Sequence, residues 1–351
     1  MAQHIGKQTV IFSKPPIITH THSSVGPKEA DGPMGEYFHT RFADEINEEK
    51  SWEKAECSII KHTIKQLLRL SHTQPTEIDY LLSGDLQNQI NATHLGVKDF
   101  HIPLFGLYGA CSTMGEAMGL GAILVGTGLA KKVISGASSH YCTAERQFRF
   151  PLEYGGQRTQ TQQWTVTGCG YVMIEQEGTG PTINSITTGK IVDFDIKDVM
   201  NMGAVMAPAA VDTILTHLQD TNQKPTDYDA IVTGDLGNCG IEIAIDMADR
   251  LGVDLSPVMH DCGAMMYAQE RQDTHSGGSG CGCSASMFSS YWYLQLLKRK
   301  YKKMLLVPTG ALMNLVSTQQ SENIPGIAHA VSISAPEQVI SDKIQRFHLA
   351  P

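Results

Sequence analysis

The chain has 351 residues, 41% of them hydrophobic and 18% charged, an ordinary globular composition with length enough for one large domain or two fused halves. A core of that size buries roughly three quarters of the surface the unfolded chain exposes, so no disulfide or metal staple is needed. The net charge of −9 excludes the basic face of a nucleic-acid binder, and an acidic protein that takes up an anion must do so in a local pocket set against its own field.

Met1 to His20 lacks a basic stretch followed by an apolar one, so no secretory signal is expected there. Within Ser51 to Leu70, the residues Trp52, Ala55, Ile59, Ile60, Ile64, Leu67 and Leu68 recur at helical spacing and predict an amphipathic helix. Asp79 to Ser83 reads as a short apolar strand buried on both faces, and Pro103 to Tyr108 as another, ending at Gly109-Ala110-Cys111. Ser112 to Gly128 is rich in glycine and alanine and predicts a helix buried on all sides, and Lys132 to Gly136 opens the next strand. Strands separated by helices imply parallel sheets with helical crossovers. The longest apolar run, Gly119 to Ala130, is too short and too glycine-rich to span a bilayer. Any membrane contact is therefore expected to be peripheral. The eight cysteines, at 57, 111, 142, 169, 239, 262, 281 and 283, show no disulfide framework and fit a reducing compartment.

The strongest sign of organisation is an internal repeat. The segments Pro75 to Leu86 and Pro225 to Leu236 are identical at six of twelve positions, and each ends in Gly-Asp-Leu, with Asp85 and Asp235 lying 150 residues apart. In the same order, Cys111-Ser112 matches Cys283-Ser284 and Lys131-Lys132 matches Lys302-Lys303. Repeats of this length point to a duplicated half-domain, not to an array of short units. The expected division is a first half over 1–180, a second over 181–335 and a tail over 336–351.

A strand ending in Ala110-Cys111-Ser112 and opening a buried helix resembles the nucleophile corner of thiolases and type III ketoacyl synthases. That resemblance implies an α/β fold of five layers, αβαβα, built from two duplicated halves. A helix N-terminus there favours a thiolate through its unpaired N–H groups and dipole. The likeness narrows over Ser138-Ser139-His140, Thr143 to Pro151, Glu153 to Gln157, Met206 to Ala210, His260-Asp261-Cys262-Gly263 and Gly277 to Ser284. With Gly6 to Thr9 and Val25 to Glu29, these segments resemble the stage V sporulation protein AD family over roughly residues 5 to 333.

The resemblance implies a binding role. Such proteins act with other stage V sporulation A membrane proteins that move dipicolinic acid, alone or as its calcium chelate, into the spore and out again at germination. It further implies a homodimer at the cytoplasmic face of the forespore or spore inner membrane. The alternatives are an acyl-CoA-dependent condensing enzyme using Cys111 and a structural scaffold for membrane partners.

Condensing enzymes of this type need a cysteine, a histidine and an asparagine, the last two as oxyanion donors. Cys111 is present, His260 is the candidate histidine, and Cys281 falls where the asparagine should be. A thiol is a poor oxyanion donor, so the site reads as a vestigial catalyst kept as a pocket, with no cofactor and no metal expected. A planar dianion favours bidentate donors, which makes Arg146 and Arg149 candidates, with His140 beside them. Asp85 and Asn88 follow the first repeated strand, at the end where ligands collect in parallel sheets. The repeated Asp235 suggests instead that Gly-Asp-Leu is a structural turn. Asp261 and Cys283 complete the candidate ligand-binding set.

Overall fold

The protein is described by a computed structural model covering residues 2–148 and 157–348. Among the described residues, ten strands form the main path of the sheet, five from each half. The first half holds β1 (Ile17–Val25), β2 (Tyr80–Gly84), β3 (Leu104–Gly106), β4 (Lys132–Ser139) and β5 (Gly168–Glu175). The second holds β6 (Thr182–Thr187), β7 (Ala230–Thr233), β8 (Met259–Asp261), β9 (Lys303–Val307) and β10 (Ala330–Ser334). The spatial orders are β1-β5-β4-β2-β3 and β6-β10-β9-β7-β8, so each half runs first, fifth, fourth, second, third. The repeat seen as a dozen matched residues is thus a repeat of topology.

The expectation of parallel sheets needs correction. In each half the second, third and fourth strands pair in parallel, while the fifth is antiparallel to both its neighbours. Only strands joined by a helical crossover are obliged to run parallel. Such helices lie before β3 (Asn91–Val97) and before β4, where α2 (Thr113–Gly126) makes the crossover. The expected strand over Pro103 to Tyr108 is shorter, confined to Leu104–Gly106.

Along the strands, neighbouring apolar residues serve different cores. Leu81, Ile134, Tyr171 and Met173 pack outward with Ile59, Ile60, Ile64 and Leu67 of α1 (Trp52–Leu70). Leu82, Val133, Val172 and Ile174 turn inward, to a central core shared with Met114 and Met118 of α2 and with Met287 and Phe288. In the second half, Ile231, Leu305 and Val307 face Met206, Val211 and Ile214 of α4 (Met202–Thr221), while Val232, Leu306 and Val331 join the central core. Period-two side chains that are apolar on both faces force a layer onto each side of each sheet. The layers are therefore outer helices, sheet, central helices, sheet, outer helices.

The central helices are α2 and α6 (Cys281–Met287), the latter continued by Phe288–Trp292 and Tyr293–Leu297. Two short helices complete the account of the site, α3 (Tyr141–Phe148) and α5 (Gly237–Arg250). A side chain at Gly170 would put its Cβ 2.0 Å from the Ala285 carbonyl oxygen, so α6 lies directly on the backbone of β5. α2 is not buried on all sides as expected. Leu120 is 38% exposed and Glu116, Ile123 and Leu124 are half-buried, so one flank of the helix is open.

Candidate functional site

The turn that opens α2 forms one wall of a cavity of about 230 Å³. Ala110 and Cys111 lie at its base; Ala144 and Phe148 of α3, Met202 and Met206 of α4, and Ala311 to Asn314 close it. Ala110 holds φ +50°, a conformation that costs a Cβ-bearing residue about 1 kcal/mol and turns the half-buried Cys111 toward the space. The polar lining is Tyr108, Cys111, Thr165, Ser279 and Asn314. Among the described residues no lysine, arginine or histidine lines it.

The group that meets the Cys111 thiol is Asp235, at the end of β7, whose carboxyl is hydrogen-bonded by that thiol. Its Oδ2 also accepts from the Gly280 N–H at 2.8 Å and the Ser279 hydroxyl at 3.4 Å. Burial, reinforced by the charge of Asp261, pushes this carboxyl up to about 7, against the pull of those hydrogen bonds. Asp261 does not reach the cavity. Its carboxylate accepts from the Thr233 hydroxyl and from the N–H groups of Leu236, Gly237 and Ala264, at 2.7–2.9 Å, and so fixes the turn that carries Asp235.

The first half repeats the arrangement. Asp85 is buried at the end of β2, accepts from the Gln87 and Thr93 N–H groups at 2.8 and 2.7 Å, and is pushed up to about 7 by burial and then by Glu56. It lies near Cys281, the first residue of α6, whose thiol donates to the Ser138 carbonyl at 2.9 Å. Gly-Asp-Leu, read from the sequence as a structural turn, therefore places an acid near the cysteine of the opposite half's central helix in both repeats. Cys283 lies inside α6 in the central core, where burial holds its thiol well above the usual range.

The remaining expected residues are distributed elsewhere. His140 is buried, with its Nε2 at 2.7 Å from the Glu45 carbonyl and its Nδ1 accepting from the Cys142 N–H, so it donates through Nε2 and anchors the start of α3. The His260 ring packs edge-on against Trp292 and Tyr301, away from Cys111; it lies one residue from Asp261, and alternation along β8 sends the two to opposite faces. α3 divides the arginine candidate from the thiol. Ala144 and Phe148 face Cys111, whereas Thr143, Arg146 and Gln147 face a second cavity of about 400 Å³ that Asn88 also lines. There Arg146 pairs with Glu53 and lies 5.3 Å over the Trp52 ring. Arg149, with Glu153 to Gly156, lies outside the described residues.

Asp235 escaped the sequence reading as a partner of Cys111, although the duplicated motif marked it. A histidine was sought in the His260 segment because only residue type, and not strand register, was legible. Met202, Thr165, Ser279 and Asn314 carry no local signal and reach the cavity only through the fold.

A central helix pair between two duplicated mixed sheets, with a cysteine at the first helix's start, defines the thiolase-like class of ketoacyl-synthase III folds. Solved structures agree. The chain superposes on 3-oxoacyl-[acyl-carrier-protein] synthase III from Aquifex aeolicus VF5 with TM-score 0.53 at 11% identity, covering 91% of this chain and 99% of that one. For the tetronic acid condensing enzyme AbyA1 the values are 0.57 and 13%, with coverage of 91% and 99%. Within that class the chain belongs to the stage V sporulation protein AD (SpoVAD) family, whose model matches residues 6–334. It is 41% identical over 326 residues to stage V sporulation protein AD of Bacillus subtilis (strain 168), covering 93% of this chain and 96% of that one. A sporulation role follows. No helix among the described residues is long and apolar enough to cross a membrane.

Proposed function

We propose that the chain binds dipicolinic acid (pyridine-2,6-dicarboxylic acid), alone or as its calcium chelate, in the Cys111 cavity, as the non-catalytic component of a spore membrane transport system. Family membership supports the sporulation setting. The observation that carries the binding reading is the largely apolar cavity at Cys111, whose described lining residues include no histidine. A thiol nucleophile needs a base that removes its proton, usually a histidine oriented by a third group. Among the described residues no histidine lines the cavity to play that part, and Cys281, whose thiol donates to the Ser138 carbonyl, offers no oxyanion donor. The volume suits the ligand: a dry cavity of about 150 Å³ accepts benzene, and the larger space here has room for one ring with two carboxyl groups.

Isothermal titration with pyridine-2,6-dicarboxylate tests the reading. Saturable binding is expected, and Ala144→Phe, which fills the cavity from α3, should abolish it. A folded protein that gives no saturable heat sinks the idea.

The half-buried position of Cys111, facing the cavity from the turn that opens a 14-residue helix, favours acyl transfer as a second reading. It predicts a mass increment after incubation with acyl-CoA that Cys111→Ala removes.

The partners in this proposal are the other stage V sporulation A membrane proteins, met at the cytoplasmic face of the inner membrane, and a second copy of the chain. β3 supports the homodimer. It is an edge strand of the first sheet, with Phe105 48% and neighbouring Tyr108 49% exposed, and such an edge offers unpaired backbone groups to a twin.

A further inference from the structure

A carboxylate that enters the Cys111 cavity meets no cation among the described residues that line it. Among the described residues its ionisable surroundings are acidic or thiol groups and the Tyr108 phenol. From the start of α2 comes Cys111, from the β7 turn Asp235, from the end of β8 and just after it Asp261 and Cys262, and from α6 Cys281 and Cys283, each of the others coupled electrostatically to Asp235. Asp85 and Glu56 stand near Cys281. Arg146 lies across α3 and pairs with Glu53. A dianion placed beside an ionised Asp235 in this low-dielectric space would be repelled strongly, because the Coulomb energy of two like charges is little screened there.

We propose that the cavity admits a carboxylate ligand only together with a proton taken from solvent onto Asp235, so that Asp235 sets the charge state in which the ligand is held. This rests on the reading that the Cys111 cavity is the ligand site. The geometry suits the task. Asp235 is fully buried, and its Oδ2 is held by the Gly280 N–H and the Ser279 hydroxyl. The turn behind it is clamped by three hydrogen bonds to Asp261, from Thr233, Leu236 and Gly237. It can therefore change protonation without moving. Ser279 lines the cavity and also touches this carboxyl, which links the ligand space to the proton site. Burial already biases Asp235 toward the protonated form around neutrality, so little has to be spent to complete the uptake.

The test is titration of the intact protein with pyridine-2,6-dicarboxylate between pH 6 and 8, where both ligand carboxylates are ionised throughout and Asp235 in the free protein loses its proton. With the Asp235 carboxyl at about 7, binding should weaken about tenfold from pH 6 to pH 8. Titrations at pH 8 in buffers of different ionisation enthalpy should show close to one proton taken up per ligand. Asp235→Asn keeps an acceptor for the Gly280 N–H but cannot titrate, and it should flatten the slope whatever its absolute affinity. The proton-uptake measurement needs no variant and so stands if Asp235→Asn misfolds. Saturable binding that is equally tight at both pH values, or that takes up no proton, overturns the coupling and leaves the binding reading intact. Absence of binding at every pH overturns that reading and the coupling with it.

Discussion

The thiol of Cys111, in the first half of the chain, hydrogen-bonds the carboxyl of Asp235, in the second. Asp85 stands near Cys281 in the reverse sense, first half toward second. Each duplicated half thus supplies one helix-start cysteine and one strand-end acid, and each acid meets the other half's cysteine. Among the described residues Cys111 lines the cavity of about 230 Å³, whereas Cys281 is buried.

That contact predicts how a cysteine variant behaves. The thiol's hydrogen bond holds the Asp235 carboxyl lower than burial alone would. In Cys111→Ala the bond is gone and the carboxyl should titrate higher, so the pH at which ligand binding weakens should move upward, while Cys111→Ser should keep it near the wild-type position. Binding isotherms across pH for the three proteins decide this; an unmoved midpoint in Cys111→Ala contradicts it.

Stability should fall as the pH rises from 6.5 to 8.5. Burial pushes Asp85 and Asp235 up to about 7, and burial with the Glu45 charge pushes Glu29 up to about 8. In the unfolded chain these protons leave near pH 4, so the native state binds more protons in between and loses stability as they are removed. Buried His22, His140, His217 and His329, all lowered, act oppositely below about pH 7, where the unfolded chain takes up their protons, and offset only part of this fall. Urea midpoints at pH 6.5 and 8.5 check the sign; a higher midpoint at 8.5 would contradict it.

Gly170→Ala should destabilise by about 3 kcal/mol, at the upper end for overpacking, because the new Cβ meets the Ala285 backbone carbonyl, which no rotamer change can move. Gly128→Ala is the control: a Cβ there has open space, and only its φ of +79° should cost about 1 kcal/mol. Denaturant unfolding of both variants should separate steric from backbone cost.

The proposed dimer edge is open to direct trial. Phe105→Asp places a charge on the exposed edge strand, and light scattering should report a monomer where the parent chain reports a dimer. A parent chain that is monomeric at tens of micromolar removes the homodimer from the proposal.

Much of the fold was legible because duplication and periodicity are local properties of the chain. α1 was expected over Ser51 to Leu70 and runs Trp52–Leu70, since its apolar stripe and the Ser51 cap are written in adjacent residues. β2 was expected over Asp79 to Ser83 and runs Tyr80–Gly84. Strand direction was not legible, because the antiparallel fifth strands follow connections whose paths no periodicity encodes. The site was legible only at Cys111. His260 carries the right chemistry in its ring and lies on the wrong face of β8.

The amino-acid sequence by itself determined the duplicated α/β architecture, the family and the cysteine at the start of the central helix, because those rest on repeats, periodicity and contiguous motifs. Tertiary structure alone decided that Asp235 meets that cysteine, that α3 separates Arg146 from it, and that the described cavity lining holds no cation. These depend on strand register and on which helix face turns inward, and a shift of one residue in either would send the same side chains elsewhere.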